Sequence, residues 1–387
     1  MDTEEYLKLQ QNCAYLGAVL PLNVVEHIKK VDSKTKEFQG ARWKKSIKWN
    51  MKHLLPKYGW INDGFAEIGR YKGVIAVGAG ASFKRNEDVL KMVSLADGTR
   101  RFELQDFIIM VSNHQLKPCL EKGIIPHFAL LADGSPDLKK QFDVGENGKA
   151  TILIATVQAH PDVLNTWKGP IKFVIPRAND IRELIAKYTK EDCPEEMGVV
   201  GGGNVLNMCF MLSLGLFRTS VWMCVGNDMG FVQTDNIEET RTNYYADGDY
   251  STNMASKRDE ASRPFSWMGF EYPQNPLGET INYINMKLFN TSPQLFVYKS
   301  WLESTAYLNW QKGGKFTVYN CSEQGILGVV LKEEYQDKEK ADDRIDQNNW
   351  LMMDEIAPRK WRTRKLYQAV EEFHQAKEHL MGTRILH

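Results

Sequence analysis

Two aspartates in this chain stand where apolar runs end: Asp133 directly after 128–132, and Asp228 just past 220–225, following Gly226 and Asn227. An acid at the end of a buried strand in an open α/β sheet lies where such sheets take their ligands. It can hold a hydrated Mg²⁺ against phosphate oxygens, accept a hydrogen bond from a ligand hydroxyl, or take a proton. For Asp133, a cap on the turn Asp133-Gly-Ser-Pro-Asp137 is an equally good account.

Around these acids lie groups suited to anions and hydroxyls. The run Gly73–Val77 leads directly into Gly78-Ala-Gly-Ala-Ser82 and then a helical pattern over Glu87–Val93. In a strand, glycine turn and helix, backbone N–H groups can hold a phosphate, with Ser82 adding a hydroxyl; Gly78, Gly80 and Ser82 are therefore candidates. A G-x-G is weak evidence alone, and a tight turn without ligand competes with it. It is not a dinucleotide fingerprint, since Phe83 stands where the third glycine is wanted and Phe107–Val111 ends in Ser112 and Asn113 without a ribose-binding acid. The Gly-Lys-Ser/Thr ending of a Walker loop is also missing. Ser112 and Asn113 are themselves placed to meet a donor. So is the cluster Gly201-Gly202-Gly203-Asn204, where Asn204 caps an apolar helix over 205–217 and leaves free N–H groups beside a glycine-lined hollow. Ser322 and Glu323, in the turn 320–325 after an apolar run at 315–319, join the set if that strand enters the same sheet. His160 and Arg177 also end apolar runs but are isolated.

The elements that must position these residues alternate strand and helix, with further short strands at 151–155 and 171–175. This pattern predicts an α/β fold, Rossmann-like and doubly wound around a mostly parallel sheet, with helical N- and C-terminal extensions. The expected divisions are a helical extension over 1–69, a core over 70–331, and a charged segment with an amphipathic helix over 332–387. That helix, read over 361–381, would dock on the body or on a second copy of the chain. Within the core, about 231–280 is polar yet rich in aromatics (Tyr244, Tyr245, Tyr250, Phe265, Trp267, Phe270, Tyr272) and reads as a flap over an acceptor, or else a packed excursion; 280–310 reads as helical.

The 49 basic and 49 acidic residues balance, giving no argument for a nucleic-acid partner. The six cysteines are scattered without a C-x-x-C pair and read as small buried hydrophobes in a reducing compartment. The start, MDTEEYLKLQQN, is unlike a secretory signal, and no apolar run reaches the roughly twenty residues of a membrane span, so cytoplasmic residence without a membrane partner is expected.

Five segments in order resemble the 6-hydroxymethylpterin diphosphokinase MptE-like family, whose domain also forms the centre of the Maf proteins linked to flagellin glycosylation. They are Val77-Gly-Ala-Gly-Ala-Ser82, 116–133 with Gly123-Ile-Ile-Pro126, Gly202-Gly-Asn-Val205, Gly226-Asn-Asp-Met229 and Asn320-Cys-Ser-Glu-Gln-Gly325. Ala81 and Gly134 depart from the family's usual prolines, and Gln324 from its glycine. A looser similarity links Ser82, Asn113 and Gly226-Asn-Asp228 to bacterial sialyltransferases that use a CMP-sugar, although no histidine occurs between Asp228 and His374 to match their base. The first resemblance implies diphosphate transfer from ATP to a hydroxymethyl-pterin-like acceptor, with Asp133 and Asp228 holding Mg²⁺. The second implies glycosyl transfer from a nucleotide-activated sugar, with one acid as base or acceptor guide. A non-catalytic nucleotide-binding module is the third reading, because fold does not fix function.

Overall fold

The computed structural model describes residues 40–94, 105–176, 179–189, 198–199, 203–232, 265–274, 283–332 and 347–385. The fold is α/β, built on mostly parallel sheet of the doubly wound class. Its contacts divide the chain into two units, the first drawing on 28–78 and 90–220, the second on 79–89 and 221–387.

In the first unit β1 (Gly73–Val77), β2 (Phe107–Val111), β3 (Phe128–Leu131), β4 (Ile152–Thr156), β5 (Ile171–Pro176) and β6 (Gly198–Val199) pair in parallel, each with the next in sequence. Helices cross between them: α1 (Asn113–Glu121), α2 (Pro161–Thr166) and α3 (Asn179–Thr189), followed after β6 by α4 (Val205–Met211). Every residue of β1 and β2 is buried, which is why both are continuous apolar runs rather than alternating ones. Phe128 packs on Phe217 with ring centroids 5.2 Å apart.

Buried polar side chains fix the surroundings of this sheet. Asn50, fully buried, donates through Nδ2 to Val157 O (2.9 Å) and Ala159 O (2.8 Å), tying the segment after the helical residues 40–49 to the end of β4. His127 accepts the Ile109 N–H at Nδ1 (3.0 Å), and burial, aided by the Lys72 charge, pushes its pKa down to about 3, so the ring is neutral. Of the expected N-terminal extension, 1–39 lies outside the described residues.

The apolar helix expected over 205–217 forms in two pieces. Asn204 caps α4, accepting the Asn207 N–H at 2.7 Å, and the helix then widens into a π turn over Leu212–Leu216. Ser213 donates its hydroxyl back to Cys209 O at 2.6 Å, a bond that loosens helical geometry at that turn.

The second unit contributes β7 (Val221–Val225), β8 (Phe231–Val232), β9 (Phe265–Glu271), β10 (Asn285–Thr291), α5 (Pro293–Gln311), β11 (Thr317–Asn320), β12 (Gln324–Gly325), β13 (Val329–Leu331), β14 (Trp350–Met352), β15 (Trp361–Thr363) and α6 (Leu366–Ile385). Strand β11 lies between β7 and β15, parallel to both. Strands β12, β9, β10 and β8 form an antiparallel sheet in that order, and β13 pairs with β14.

Two stretches, the one before Pro293 and the one before Leu366, differ from the sequence expectation. The helical reading of 280–310 holds from Pro293 on, as α5, but is preceded by β10, where the buried Phe289 stands opposite Trp267 and Leu288 opposite Met268 of β9. Part of the aromatic stretch is β9 itself, with Trp267, Met268 and Phe270 in the core, whereas Tyr244, Tyr245 and Tyr250 lie outside the described residues. The C-terminal helix begins at Leu366, since 361–363 is drawn into the sheet beside β11.

Beneath β9, α5 carries a fully buried ion pair. Lys299 Nζ lies 2.6 Å from Glu303 Oε2, 6.0 Å from the Trp267 ring centroid and 5.8 Å from that of Phe296. Glu303 Oε1 accepts the Gly328 N–H at 2.6 Å, so the pair also anchors the segment before β13.

Candidate functional site

The parallel strands β7, β11 and β15 release their chains at one edge, and each is followed there by polar residues. Asn227 and Asp228 follow β7, Ser322 to Gln324 follow β11, and Arg364 and Lys365 follow β15. The turn 79–89 belongs to this same unit and meets them.

Asp228 is the centre of the cluster. It is 3% exposed, and both its oxygens are engaged: Oδ2 accepts the Ser82 N–H (3.1 Å) and Gln324 Nε2 (2.9 Å), and Oδ1 accepts the Ser82 hydroxyl in a short bond. Burial pushes the carboxyl pKa up from 3.8 to about 6, against the opposing pull of the Ser82 and Gln324 hydrogen bonds and the Arg85 charge. Gln324 cannot flip freely, because Arg85 Nη2 donates to its Oε1 at 3.0 Å, which leaves Nε2 to face the carboxylate. Arg85 is held in turn by Tyr272 O (2.9 Å) and Glu323 O (3.4 Å). A guanidinium, an amide and a carboxylate thus form a chain of oriented hydrogen bonds.

The backbone closes tightly on this acid. A side-chain carbon at Gly80 would come within 2.7 Å of Asp228 Cγ, and one at Gly325 within 2.1 Å of Asp228 O. Gly325 also has φ +111°, and the non-glycine residues Met229 (φ 54°) and Glu323 (φ 64°), beside Asp228 and Gln324, are in the left-handed region. The Gly80 N–H donates to Gly226 O at 2.8 Å, so this donor of the glycine turn, like that of Ser82, is engaged within the protein. Asn86 Nδ2 ties the turn to Ser82 O and Cys321 O, both at 3.3 Å.

Ser322 accepts the Asn227 N–H at Oγ (3.0 Å), and Glu323, 3% exposed, accepts the Tyr272 N–H at its carbonyl (2.9 Å). Lys365, 6% exposed, has Nζ 5.7 Å from the centroid of the Tyr272 ring, whose phenol burial pushes up to about 12. Past β15, Arg364 Nε donates to Glu372 Oε1 (2.9 Å), and Asp354 receives the Thr363 N–H and hydroxyl. Cys224 and Cys321 are buried, their thiols pushed to about 12 and well above the usual value, which makes them packing residues.

The structure therefore brings together Gly80, Ser82, Asp228, Ser322 and Glu323 of the residues singled out from sequence. The others belong to the first unit. Gly78 follows β1. Ser112 and Asn113 start α1, Asn113 donating through Nδ2 to Gln141 Oε1 at 2.7 Å. Asp133 follows β3, is exposed, and accepts the Ser135 N–H at Oδ1 (2.9 Å). Gly203, with φ +87°, and Asn204 open α4, while Gly202 and Arg177 lie outside the described residues. Arg85, Gln324 and Lys365 carry no chemical signature in sequence, and Tyr272 is marked there only as one aromatic of the stretch 231–280. Only the position of Gln324, beside Ser322 and Glu323 and in place of a glycine, marks it.

Among the described residues, no group of three or more His, Cys, Asp or Glu side chains is placed to share a metal ion, and no helix is long and apolar enough to cross a membrane. No curated protein matches the sequence. Among solved structures, the Maf glycosyltransferase of Magnetospirillum magneticum AMB-1 is similar at 14% identity and a TM-score of 0.42, over 70% of this chain and 37% of that one. The chain thus spans little more than a third of that protein, and a likeness this loose bears on neither reaction nor substrate. The model of the family described as 6-hydroxymethylpterin diphosphokinase MptE-like matches residues 50–234, a span over which the chain is similar to that family.

Proposed function

We propose that this chain is a transferase using a nucleotide donor, and that its reaction is Mg²⁺-assisted transfer of diphosphate from ATP to a hydroxymethyl-pterin-like acceptor. The description of the matched family supports the choice of reaction. The observation that carries it is Asp228, a buried carboxyl with pKa about 6 bonded to the Ser82 hydroxyl. Such a group is ionised at neutral pH yet close enough to its pKa to take a proton, which suits a general base.

In this reaction the acceptor hydroxyl oxygen attacks the β-phosphorus of ATP, the bond from that phosphorus to the oxygen bridging to the α-phosphate breaks, and AMP leaves. The hydroxyl proton passes to Asp228 by way of the Ser82 hydroxyl. No covalent nucleophile is needed, since phosphoryl chemistry asks mainly for positioning and charge neutralisation. Of the two acids considered for Mg²⁺, Asp133 fits: it is exposed and engages only Oδ1. Asp228 does not, because both oxygens already accept hydrogen bonds from the chain. An ion on Asp133 would neutralise charge on the donor's phosphate oxygens. Gly78, Ser112, Asn113, Gly202, Gly203 and Asn204 remain the residues assigned to the donor.

A second reading, glycosyl transfer from a CMP-sugar, is favoured by that same engagement of Asp228, which suits proton transfer rather than metal ligation. There the acceptor oxygen attacks the anomeric carbon and CMP leaves. Both reactions release a nucleoside monophosphate, so one experiment separates them. Incubation with ATP, Mg²⁺ and 6-hydroxymethylpterin should release AMP; release of CMP from a CMP-sugar instead selects the second reading. Asp228→Asn should abolish turnover while the melting temperature shows a folded protein, and undiminished turnover removes Asp228 as the base. Nucleotide binding without either release leaves a non-catalytic binding module.

A further inference from the structure

At the start of α1 the chain carries the sequence of a capping box and leaves the box unmade. Ser112-Asn-His-Gln115 puts serine at the N-cap and glutamine at the third helical position, where the hydroxyl ordinarily takes the N–H of the glutamine and the amide reaches back to the N–H of the serine. Here Ser112 makes no side-chain cap bond, its N–H donates to Val77 O (3.1 Å), and the Gln115 N–H goes to Ser112 O (3.0 Å). Ser112 Oγ and both polar atoms of the Gln115 amide are buried without a hydrogen-bond partner, in side chains belonging to residues 7% and 1% exposed. Residues at these two positions lie on one face of the first turn. Their neighbours are satisfied: Asn113 Nδ2 donates to Gln141 Oε1, and Gln141 Nε2 lies 3.4 Å from His114 Nδ1.

A buried hydroxyl and a buried amide without partners destabilise the protein that carries them, and each such group in a folded protein calls for an explanation. A ligand that brings its own donor and acceptor supplies one. The chemistry of the pair says which kind. Neither side chain is charged, and an amide offers one acceptor and one donor side by side, matching the adjacent donor and acceptor on a nucleobase edge, as glutamine does with adenine. A phosphate presents acceptors only and would leave Gln115 Oε1 unpaired.

We propose that Ser112 Oγ and the Gln115 amide form a subsite for the base of the bound nucleotide. This rests on the nucleotide-donor reading above and adds Gln115, which that reading does not use. Gln115 orients and selects; it takes no part in bond making.

The test is calorimetric titration of the full chain, wild type and Gln115→Met, with AMP, CMP, ribose 5-phosphate and pyrophosphate. Methionine keeps length and removes both polar atoms. Wild type should bind AMP or CMP at least about ten-fold more tightly than ribose 5-phosphate. Gln115→Met should lose that preference, keep its affinity for ribose 5-phosphate, and melt no lower than wild type without ligand, since no bond has been broken. Ser112→Ala should weaken the same nucleotide on its own, which keeps the test open should Gln115→Met fail to fold. If wild type binds AMP or CMP and Gln115→Met binds it equally, the subsite is wrong and the donor reading stands. If ribose 5-phosphate binds as tightly as the nucleotide, the base is not read and the subsite is again wrong. Binding of neither AMP nor CMP by the wild type overturns the donor reading and the subsite with it. A folded Gln115→Met melting well below wild type would show that the amide has partners in the free protein, contrary to the premise.

Discussion

Gln324→Leu tests whether the proton affinity of Asp228 is set by the hydrogen-bonded chain that reaches it from Arg85. The substitution removes the Nε2 donor 2.9 Å from Asp228 Oδ2 and the acceptor of Arg85 Nη2, and leaves both Ser82 bonds in place. A hydrogen bond to a charged group contributes on the order of 1.5–3 kcal/mol, and one pKa unit corresponds to about 1.4 kcal/mol, so Asp228 should rise from about 6 by roughly one unit. The sign follows from linkage. Because the folded pKa lies above the unfolded 3.8, the native state binds the extra proton between these values, and its contribution to stability is complete below pH 3.8 and lost as pH rises through 6. The loss in the wild type totals about 3 kcal/mol. In the variant it continues to about pH 7, adding on the order of 1.4 kcal/mol.

The assay is the melting temperature of both proteins at pH 5 and pH 8. Whatever packing is lost with Gln324 lowers both temperatures alike, whereas the carboxylate effect appears only at pH 8. The deficit of the variant should therefore be larger at pH 8 by about 2 °C or more. In an Asp228→Asn background the same substitution should show no such pH dependence. A deficit equal at the two pH values, or one that persists in the Asn background, would refute the account of Gln324 as an electrostatic partner of Asp228.

Gly325→Ala should be among the most damaging single substitutions, since the added carbon meets Asp228 O at 2.1 Å in a backbone with φ +111°, whereas Gly215→Ala, with nothing within 4 Å, should leave the melting temperature within about 1 °C. Equal melting of the two alanine variants would contradict the close packing around Asp228. Lys299→Met leaves Glu303 buried without its cation and should cost about 3–5 kcal/mol in urea unfolding. Adding Glu303→Gln, which removes the charge and keeps an acceptor for the Gly328 N–H, should recover most of that loss; no recovery would mean that the unpaired charge is not the cause.

What could be read from sequence follows the range of the forces involved. Strands β1 and β2 are legible to the residue, because burial of both faces writes an uninterrupted apolar run. The Asn204 cap is legible because it acts three residues away. Strand β10 is not, since Leu288 and Phe289 are extended by partners on β9 some twenty residues earlier, and β15 is held by β11 rather than by its own propensity. The site divides in the same way. Ser82 and Asp228 can each be placed at a strand end, but the bond between them spans 146 positions, and the part of Arg85 depends on two backbone carbonyls that have no sequence signature. Glycines at 80 and 325 are visible as special positions, yet only the structure gives the reason, which is the approach of their backbone to Asp228.

That approach also argues for what Asp228 retains. An anchor for Ser82 alone does not require a charge: an asparagine oxygen accepts an N–H and a hydroxyl without the desolvation that raises this carboxyl to about 6. The chain instead keeps the acid and surrounds it with features that have their own cost. Met229 and Glu323 each carry backbone strain of order 1–3 kcal/mol, and the Arg85 guanidinium is fixed on two carbonyls so that Gln324 presents its amide in one sense. These features act together to hold a carboxylate near neutrality at the edge of three parallel strands. On the proposed reading, the property they preserve is the ability of Asp228 to gain and lose a proton, which a neutral anchor lacks and a general base requires.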